Sequence, residues 1–185
     1  MIYIRFFIVS AMLCLIGCSG IRVSQDYDPA SDSGVLTSFA WASETQQKTG
    51  DSRLDNPLRD ARTRAAVELL LHEKGIDKKS AGTPAFFVRY TYGLRQKIES
   101  SGTRGGIGFG LGSFGRHGGI ALGTGDSVEE IDEESLTIDF LGQDLETLFW
   151  RGTGVQRFME YDDPEKTTRS IQALVTEILD QFPPK

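Results

Sequence analysis

Histidine and cysteine are scarce in this sequence, with two residues of each among 185. His72 and His117 have no ligand partner at a spacing that metal sites use. No apolar run approaches the roughly 20 residues that a membrane-spanning helix needs. The sequence therefore predicts neither a metal centre nor a transmembrane helix.

Positive charge is also limited, because 20 Lys and Arg residues stand against 26 Asp and Glu residues and the formal net charge is -6. Nucleic-acid binding needs a basic stripe that neutralises phosphates, and no such stripe is present. Adhesion to anionic lipid needs clusters of Lys and Arg, which are missing as well. With 39% hydrophobic residues, the length predicts one domain with a single core.

The start of the chain has the pattern of a signal peptide. Arg5 precedes an apolar run of eleven residues, Phe6 to Ile16, which is too short to cross a bilayer. The next residues complete Leu15-Ile16-Gly17-Cys18, which resembles the bacterial lipobox. We expect a signal peptide over residues 1–17. The resemblance implies cleavage before Cys18, a diacylglyceryl group on its sulfur and acylation of the new amino terminus.

Removal of this leader would leave a mature chain, residues 18–185, with one cysteine and therefore no internal disulfide. Loss of Arg5 would change the net charge from -6 to -7. Acyl chains contribute about 0.8 kcal/mol per buried methylene, so several chains form a firm membrane anchor. Ser19 stands where the inner-membrane retention signal has aspartate, which implies an outer-membrane location facing the periplasm. The expected first strand starts so close to Cys18 that the domain should rest near the bilayer surface.

Apolar periodicity predicts five strands and two helices. The strands are expected at residues 21–27, 36–41, 85–99, 136–140 and 148–155. One helix is expected from Asn56 and Pro57 to about Lys74, with Leu58, Ala61, Ala65 and Leu69 on its inner stripe, widened by Val67, Leu70 and Leu71. The other starts at Asp163 and Pro164, with Ile171, Leu174, Val175, Ile178, Leu179 and Phe182 inward. The fold class is α+β, a single domain whose antiparallel or mixed sheet has both amphipathic helices on one face and water on the other.

A glycine-rich segment interrupts this pattern, with eleven glycines in residues 102–125. Gly110, Gly112 and Gly115 satisfy the spacing of a dinucleotide motif, but no helix is predicted after them to receive a pyrophosphate. The position two before Ser113 is occupied by leucine, so a nucleophile elbow is not indicated either. We interpret residues 102–125 as a surface loop, an irregular hairpin or a flap that contacts a membrane or partner.

Other candidate residues favour structural roles. Five acids, Glu129, Glu130, Asp132, Glu133 and Glu134, lack the alternating ligands of a calcium loop and are expected to form a solvated run. His72 is expected at a helix end near terminal carbonyls, and Trp41 and Trp150 in the core or at a sheet edge. The sequence predicts no catalytic, cofactor-binding or metal-binding residue.

Short landmarks across the chain resemble the bacterial lipoprotein family called domain of unknown function 4136. They are Asp26-Tyr27-Asp28-Pro29, Phe39-Ala40-Trp41, Leu136-Thr137-Ile138-Asp139-Phe140, Trp150-Arg151-Gly152 and Ile178-Leu179-Asp180-Gln181-Phe182-Pro183-Pro184. The resemblance implies a lipid-anchored protein but no activity.

The leading functional hypothesis is a non-enzymatic envelope lipoprotein, joined to the membrane by lipid on Cys18, that binds an envelope protein or lipid or serves envelope assembly or maintenance. The alternative is an envelope hydrolase with a site built from scattered Asp, Glu or Ser residues, which predicts a deep polar pocket with a perturbed carboxylate. A third hypothesis, an assembly plug that sits inside or beside a barrel, predicts an exposed apolar sheet face or an edge strand suited to pairing.

Overall fold

The computed structural model describes residues 20–30, 36–100 and 128–184. The expected signal peptide, the lipid attachment residue Cys18 and the glycine-rich segment 102–125 lie outside the described residues.

Six strands and two helices make up the described chain. In order they are β1 (Arg22–Tyr27), β2 (Ser38–Trp41), α1 (Pro57–Glu73), β3 (Asp77–Lys78), β4 (Phe86–Ser100), β5 (Val128–Leu141), β6 (Leu148–Arg157) and α2 (Pro164–Leu179). Every strand predicted from apolar alternation is present, and β3, which has only two residues, is the one that the sequence did not indicate.

The strands form one mixed sheet in the order β1-β6-β5-β4-β2-β3. The central strands β4, β5 and β6 pair antiparallel, and β1 adds to β6 in the same sense. On the other side, β2 lies parallel to both β4 and β3. The predicted α+β class with a mixed sheet is therefore confirmed.

Both helices cover the same face of this sheet. Alternate side chains of the central strands point towards them and are almost fully buried: Phe86, Val88, Tyr90, Tyr92, Leu136, Ile138, Phe140 and Trp150. From α2, Ile171, Leu174, Val175, Ile178 and Leu179 complete the core as predicted. The opposite face of the central strands carries polar and charged side chains, which agrees with the expected wet side.

Two glycines of β6 let α2 approach the sheet closely. A Cβ on Gly152 would lie 2.5 Å from Cη2 of Trp150 and 2.6 Å from Cγ2 of Ile178. A Cβ on Gly154 would lie 2.7 Å from Cδ1 of Leu174. Such distances are well inside van der Waals contact, so the helix can pack at this depth only because both positions lack a side chain.

The helix boundaries follow the predicted capping signals. The side chain of Asn56 accepts a hydrogen bond from the backbone of Leu58 at 2.8 Å, and that of Asp163 accepts one from Glu165 at 2.8 Å. Gly75 follows α1 with φ of 79°, a conformation that glycine adopts without strain.

The inner stripe predicted for α1 is wrong, although Val67 and Leu71, which were expected to widen it, are buried. Leu58 and Leu69 are 63% and 52% exposed, and Ala61 and Ala65 also face solvent. The buried residues are Arg59, Thr63, Ala66, Val67 and Leu71. Two polar residues lie on the core side because the sheet supplies partners for them, and apolar periodicity cannot reveal that.

The prediction of a solvated acidic run is wrong for Glu133 and Glu134, whereas Glu130 is exposed as expected. The residues of this run belong to β5, which starts at Val128, eight positions before the predicted strand. Glu133 and Glu134 are only 8% and 3% exposed. Each is neutralised by arginine, and this pairing makes their burial tolerable.

Candidate functional site

One cavity of the described chain lies where β2 leaves the sheet. It has a volume of about 330 Å³, and three of its lining residues, Val88, Arg89 and Tyr90, are consecutive in β4. Consecutive strand residues point to opposite faces, so a cavity that touches all three lies at the strand edge. The backbone N–H of Ala42 donates to the carbonyl of Val88 at 2.9 Å, and beyond this rung β4 has no neighbour on that side among the described strands.

Aromatic rings and one arginine form the wall on the helix side. The rings of Trp41 and Tyr90 meet nearly at right angles, with centroids 6.0 Å apart. The guanidinium of Arg64 lies 4.5 Å from the centroid of the Trp41 ring, a cation–π geometry. The indole N–H of Trp41 donates to Glu68 at 2.8 Å.

Asp60 holds this wall together. Its carboxylate accepts from Nε of Arg64 at 2.7 Å and from the hydroxyl of Tyr90 in a short contact. Burial, and then the hydrogen bond to Asp60, raise the pKa of Tyr90 well above its ordinary value. The Tyr90 hydroxyl therefore stays protonated and acts here as a donor that fixes Asp60.

The polar loop between β2 and α1 forms the other wall, and it is tied down at several points. Asp55 accepts from the backbone N–H groups of Thr49 at 2.8 Å and Gly50 at 2.9 Å, and these bonds lower its pKa. Arg53 donates to Asp132 of β5 at 2.7 Å. A loop held by this many bonds gives the cavity a preformed shape.

A second, smaller cavity of about 190 Å³ adjoins the first and shares Thr45 and Gln46 with it. Its lining includes two carboxylates, those of Asp55 and Asp60. The two linings therefore differ, since the smaller cavity has Lys48 beside its two carboxylates and the larger one has Arg64 and Arg89.

The face of the sheet opposite the helices carries rows of paired charges. Asp139, 3% exposed, accepts from Nη2 of Arg89 at 2.9 Å and from Nε of Arg151 at 2.6 Å. Glu133 accepts from Arg22 at 2.7 Å and from Arg95 at 2.8 Å. Burial pushes the pKa of Asp139 up, but the hydrogen bonds from Arg151 and Arg89 hold it below its ordinary value.

Replacement of Asp139 by asparagine should therefore give a pH-dependent loss of stability. A carboxylate with a lowered folded-state pKa stabilises the fold above its unfolded pKa near 4, and that contribution disappears as the pH falls through the folded value. We expect Asp139→Asn to reduce the free energy of unfolding by about 1.5 kcal/mol at pH 7. Urea unfolding should show the difference shrinking from pH 5 to pH 3.

Asp162→Asn is the matched control, because Asp162 is exposed and its replacement removes the same charge. It should change stability by less than about 0.5 kcal/mol. An Asp139→Asn loss that is the same at every pH would contradict the role given to its ionised form.

Under α1, a second carboxylate is buried with an arginine. Glu134 forms a short ion pair with Arg59 and also accepts from Gln156 at 2.7 Å. The guanidinium lies 4.5 Å from the centre of the Tyr92 ring, whose hydroxyl bonds Thr63 at 2.9 Å. Burial raises the pKa of Glu134, partly opposed by Arg59. Glu134 lines neither cavity beside the β2–α1 loop, so this perturbed carboxylate belongs to the core.

The structure confirms some of the positions predicted for single residues and corrects others. Trp150 is in the core, 1% exposed, and Trp41 lies at the end of β2, so both predictions are confirmed. His72 is in the last turn of α1 as expected, but its Nδ1 contacts Asp77 at 2.6 Å rather than a terminal carbonyl. Cys18 and His117 lie outside the described residues.

Sequence reasoning did not identify the two arginines of the larger cavity. The only local signal is Arg64 four residues after Asp60, a spacing that forms an ion pair on one helix face. Arg89 alternates with buried residues of β4 and carries no distinguishing signal.

In the part of the chain that the structure describes, no group of three His, Cys, Asp or Glu side chains is arranged to hold a metal ion. None of the helices within those residues is both long and apolar enough to cross a bilayer.

The family model described as "Domain of unknown function (DUF4136)" matches residues 23–184. None of the curated proteins matches the chain.

Several solved structures have a similar fold at low sequence identity. A PDZ domain protein from Parabacteroides distasonis is 11% identical, with a TM-score of 0.50 over 90% of this chain and 36% of that one. A PelC dodecamer from Paraburkholderia phytofirmans is 10% identical, with a TM-score of 0.46 over 86% of this chain and 95% of that one. A minor lipoprotein from Acinetobacter baumannii is 10% identical, with a TM-score of 0.42 over 80% and 92%. At 11% identity the likeness to the PDZ domain protein concerns the fold alone.

Proposed function

The chain belongs to the family of domain of unknown function DUF4136. On that premise we propose that it is a non-enzymatic envelope lipoprotein, which is anchored by lipid on Cys18 and binds an envelope component. The proposed location is the periplasmic side of the outer membrane of a diderm bacterium, because serine rather than aspartate follows the cysteine. The membrane itself is then a partner through the covalent lipid.

The observation that carries this proposal is the lipobox-like Leu15-Ile16-Gly17-Cys18 placed directly before the family domain. The first strand, β1, begins at Arg22, four residues after the cysteine. An extended chain reaches roughly 3.3 Å per residue, so this tether allows about 13 Å between the anchor and the sheet. A domain held so closely has its β1 side next to the leaflet.

A binding role, rather than hydrolysis, is supported by the placement of the ionisable groups. The carboxylate with a raised pKa, Glu134, is enclosed between α1 and β5 and paired with Arg59. A hydrolase needs such a group within reach of a substrate. The open features of the described chain are instead a preformed polar cavity and a charged sheet face, which suit recognition.

Cys18→Ala tests the anchor, with Cys14→Ala as the matched control inside the leader. In a diderm bacterial host the unsubstituted chain and Cys14→Ala should sediment with outer-membrane markers and incorporate radiolabelled palmitate. Cys18→Ala should incorporate no label and leave the outer-membrane fraction, because acyl chains supply the affinity.

Two results would refute the proposal. One is equal palmitate labelling of the Cys18→Ala variant. The other is an unsubstituted protein that separates with inner-membrane markers, which would remove the outer-membrane assignment.

A further inference from the structure

We propose that the cavity beside Trp41 binds a hexose-sized ring that carries a carboxylate or phosphate group. This proposal deepens the binding role proposed above and rests on it, but it makes no use of the lipid anchor. Its evidence is the shape and the hydrogen-bonding groups of the cavity lining.

The guanidinium donors of the lining favour an anion. Arg64 and Arg89 both line the cavity, and none of the described residues in the lining is acidic. Arg64 uses Nε for Asp60 and Nη2 for the carbonyl of Ser43, which leaves Nη1 for a ligand. Arg89 donates to Asp139 through Nη2, which leaves Nε and Nη1.

The arginine on the strand side belongs to a group of two arginines and two carboxylates. Asp139 is shared between Arg89 and Arg151, at 2.9 Å and 2.6 Å, so one carboxylate faces two guanidinium groups. Asp26 also acts electrostatically on Arg151, so the charges of this group balance, and Arg89 contributes hydrogen-bond donors rather than net charge. Guanidinium donors in a fork bind carboxylate and phosphate oxygens better than any other side chain does.

The remaining lining favours a ring with hydroxyl groups over a bare ion. The indole of Trp41, with Arg64 over its ring, adds apolar surface to the lining, and Gln46, Gln47 and Ser43 add neutral donors and acceptors. Beyond the rung at Val88, strand alternation also directs the backbone N–H and C=O of Tyr90 to this edge. A volume of about 330 Å³ lies at the lower end of the range of volumes that ligand sites have. A cavity of this size suits one ring rather than a polymer.

The test is a titration of the full chain, purified in detergent, with glucuronate, glucose 6-phosphate and glucose, followed by tryptophan fluorescence. Trp150 is 1% exposed in the core, so a response reports on Trp41. We expect saturable binding of at least one of the two anions and at least tenfold weaker binding of glucose. Preference for glucuronate identifies a carboxylate ligand, and preference for glucose 6-phosphate identifies a phosphate ligand.

Arg64→Gln and Arg89→Gln should each weaken binding of the anion about tenfold or more. Arg62 lies on the same helix as Arg64 but outside the lining, so Arg62→Gln should leave the binding unchanged. The side chain of Arg89 is 41% exposed, so we expect Arg89→Gln to fold. This variant therefore still tests the proposal if Arg64→Gln disturbs the fold. Absence of saturable binding of both anions at millimolar concentration would overturn the proposal, as would equal effects of Arg62→Gln and Arg64→Gln. Neither result would alter the membrane fractionation of Cys18→Ala, so failure here is distinct from failure of the anchor.

Discussion

Replacement of Glu134 by leucine is expected to reduce the free energy of unfolding by about 3–5 kcal/mol, a large part of the roughly 5–15 kcal/mol typical of a domain. The variant leaves Arg59 buried without a counterion, and arginine does not release its proton at any accessible pH. The side chains of the pair are only 9% and 4% exposed, so water cannot replace the lost partner.

The double variant Arg59→Met/Glu134→Leu tests whether the lost stability comes from the unpaired charge. It removes both charges and fills the site with apolar atoms, so most of the loss should be recovered. Urea unfolding of the single and double variants at pH 7 measures the difference. Glu130→Leu, on an exposed residue of the same strand, should change stability by less than about 0.5 kcal/mol. A double variant as unstable as Glu134→Leu would contradict the role given to the unpaired charge.

Arg59→Met alone should be milder, at about 1–3 kcal/mol, because Glu134 can take up a proton and become neutral. Its pKa is already raised by burial, and loss of Arg59 removes the charge that opposes that rise. The cost of the variant should therefore fall as the pH is lowered towards the ordinary glutamate value.

Phe140→Ala is expected to cost about 3–5 kcal/mol as well, for a different reason. Phe140 is fully buried, and its ring centroid lies 4.6 Å from that of Trp150, 4.8 Å from Phe86 and 4.9 Å from Phe182. The truncation removes a large apolar group and leaves a cavity between the sheet and the end of α2. The melting temperature should fall by roughly 2–4 °C for each kcal/mol lost.

Phe87→Ala provides the comparison, because Phe87 lies on the neighbouring strand, points to the open face and is only half-buried. It should cost much less than Phe140→Ala. Equal losses would show that the core does not lie on the helix side of the sheet.

The sequence predicted the parts of the fold in which apolar residues mark the buried face. In β4, the alternation of Phe86, Val88, Tyr90 and Tyr92 matches the observed core, and the helical spacing of α2 is equally direct. In α1 the prediction held for Val67 and Leu71 but failed for the main stripe, because Arg59 and Thr63 occupy inward positions. Their burial depends on Glu134 and Tyr92, which are distant in sequence, so no local pattern shows it.

The candidate site was harder to foresee, since its parts meet only in the folded sheet. Parallel pairing of β2 with β4 brings Trp41 beside Val88, and the packing of α1 then brings Arg64 over the indole. A parallel pair needs a crossover, and its register is not written in either strand. The residues that resemble a lipobox are, in contrast, contiguous, so the sequence alone is enough to propose it.

Mass spectrometry of the amino-terminal peptide from the protein in its native membrane tests the proposed lipid anchor most directly. The peptide is expected to begin at Cys18, with a thioether-linked diacylglyceryl group on the sulfur and an acyl chain on the amino group. A peptide that still contains residues 1–17, or a free thiol at Cys18, would contradict the anchor.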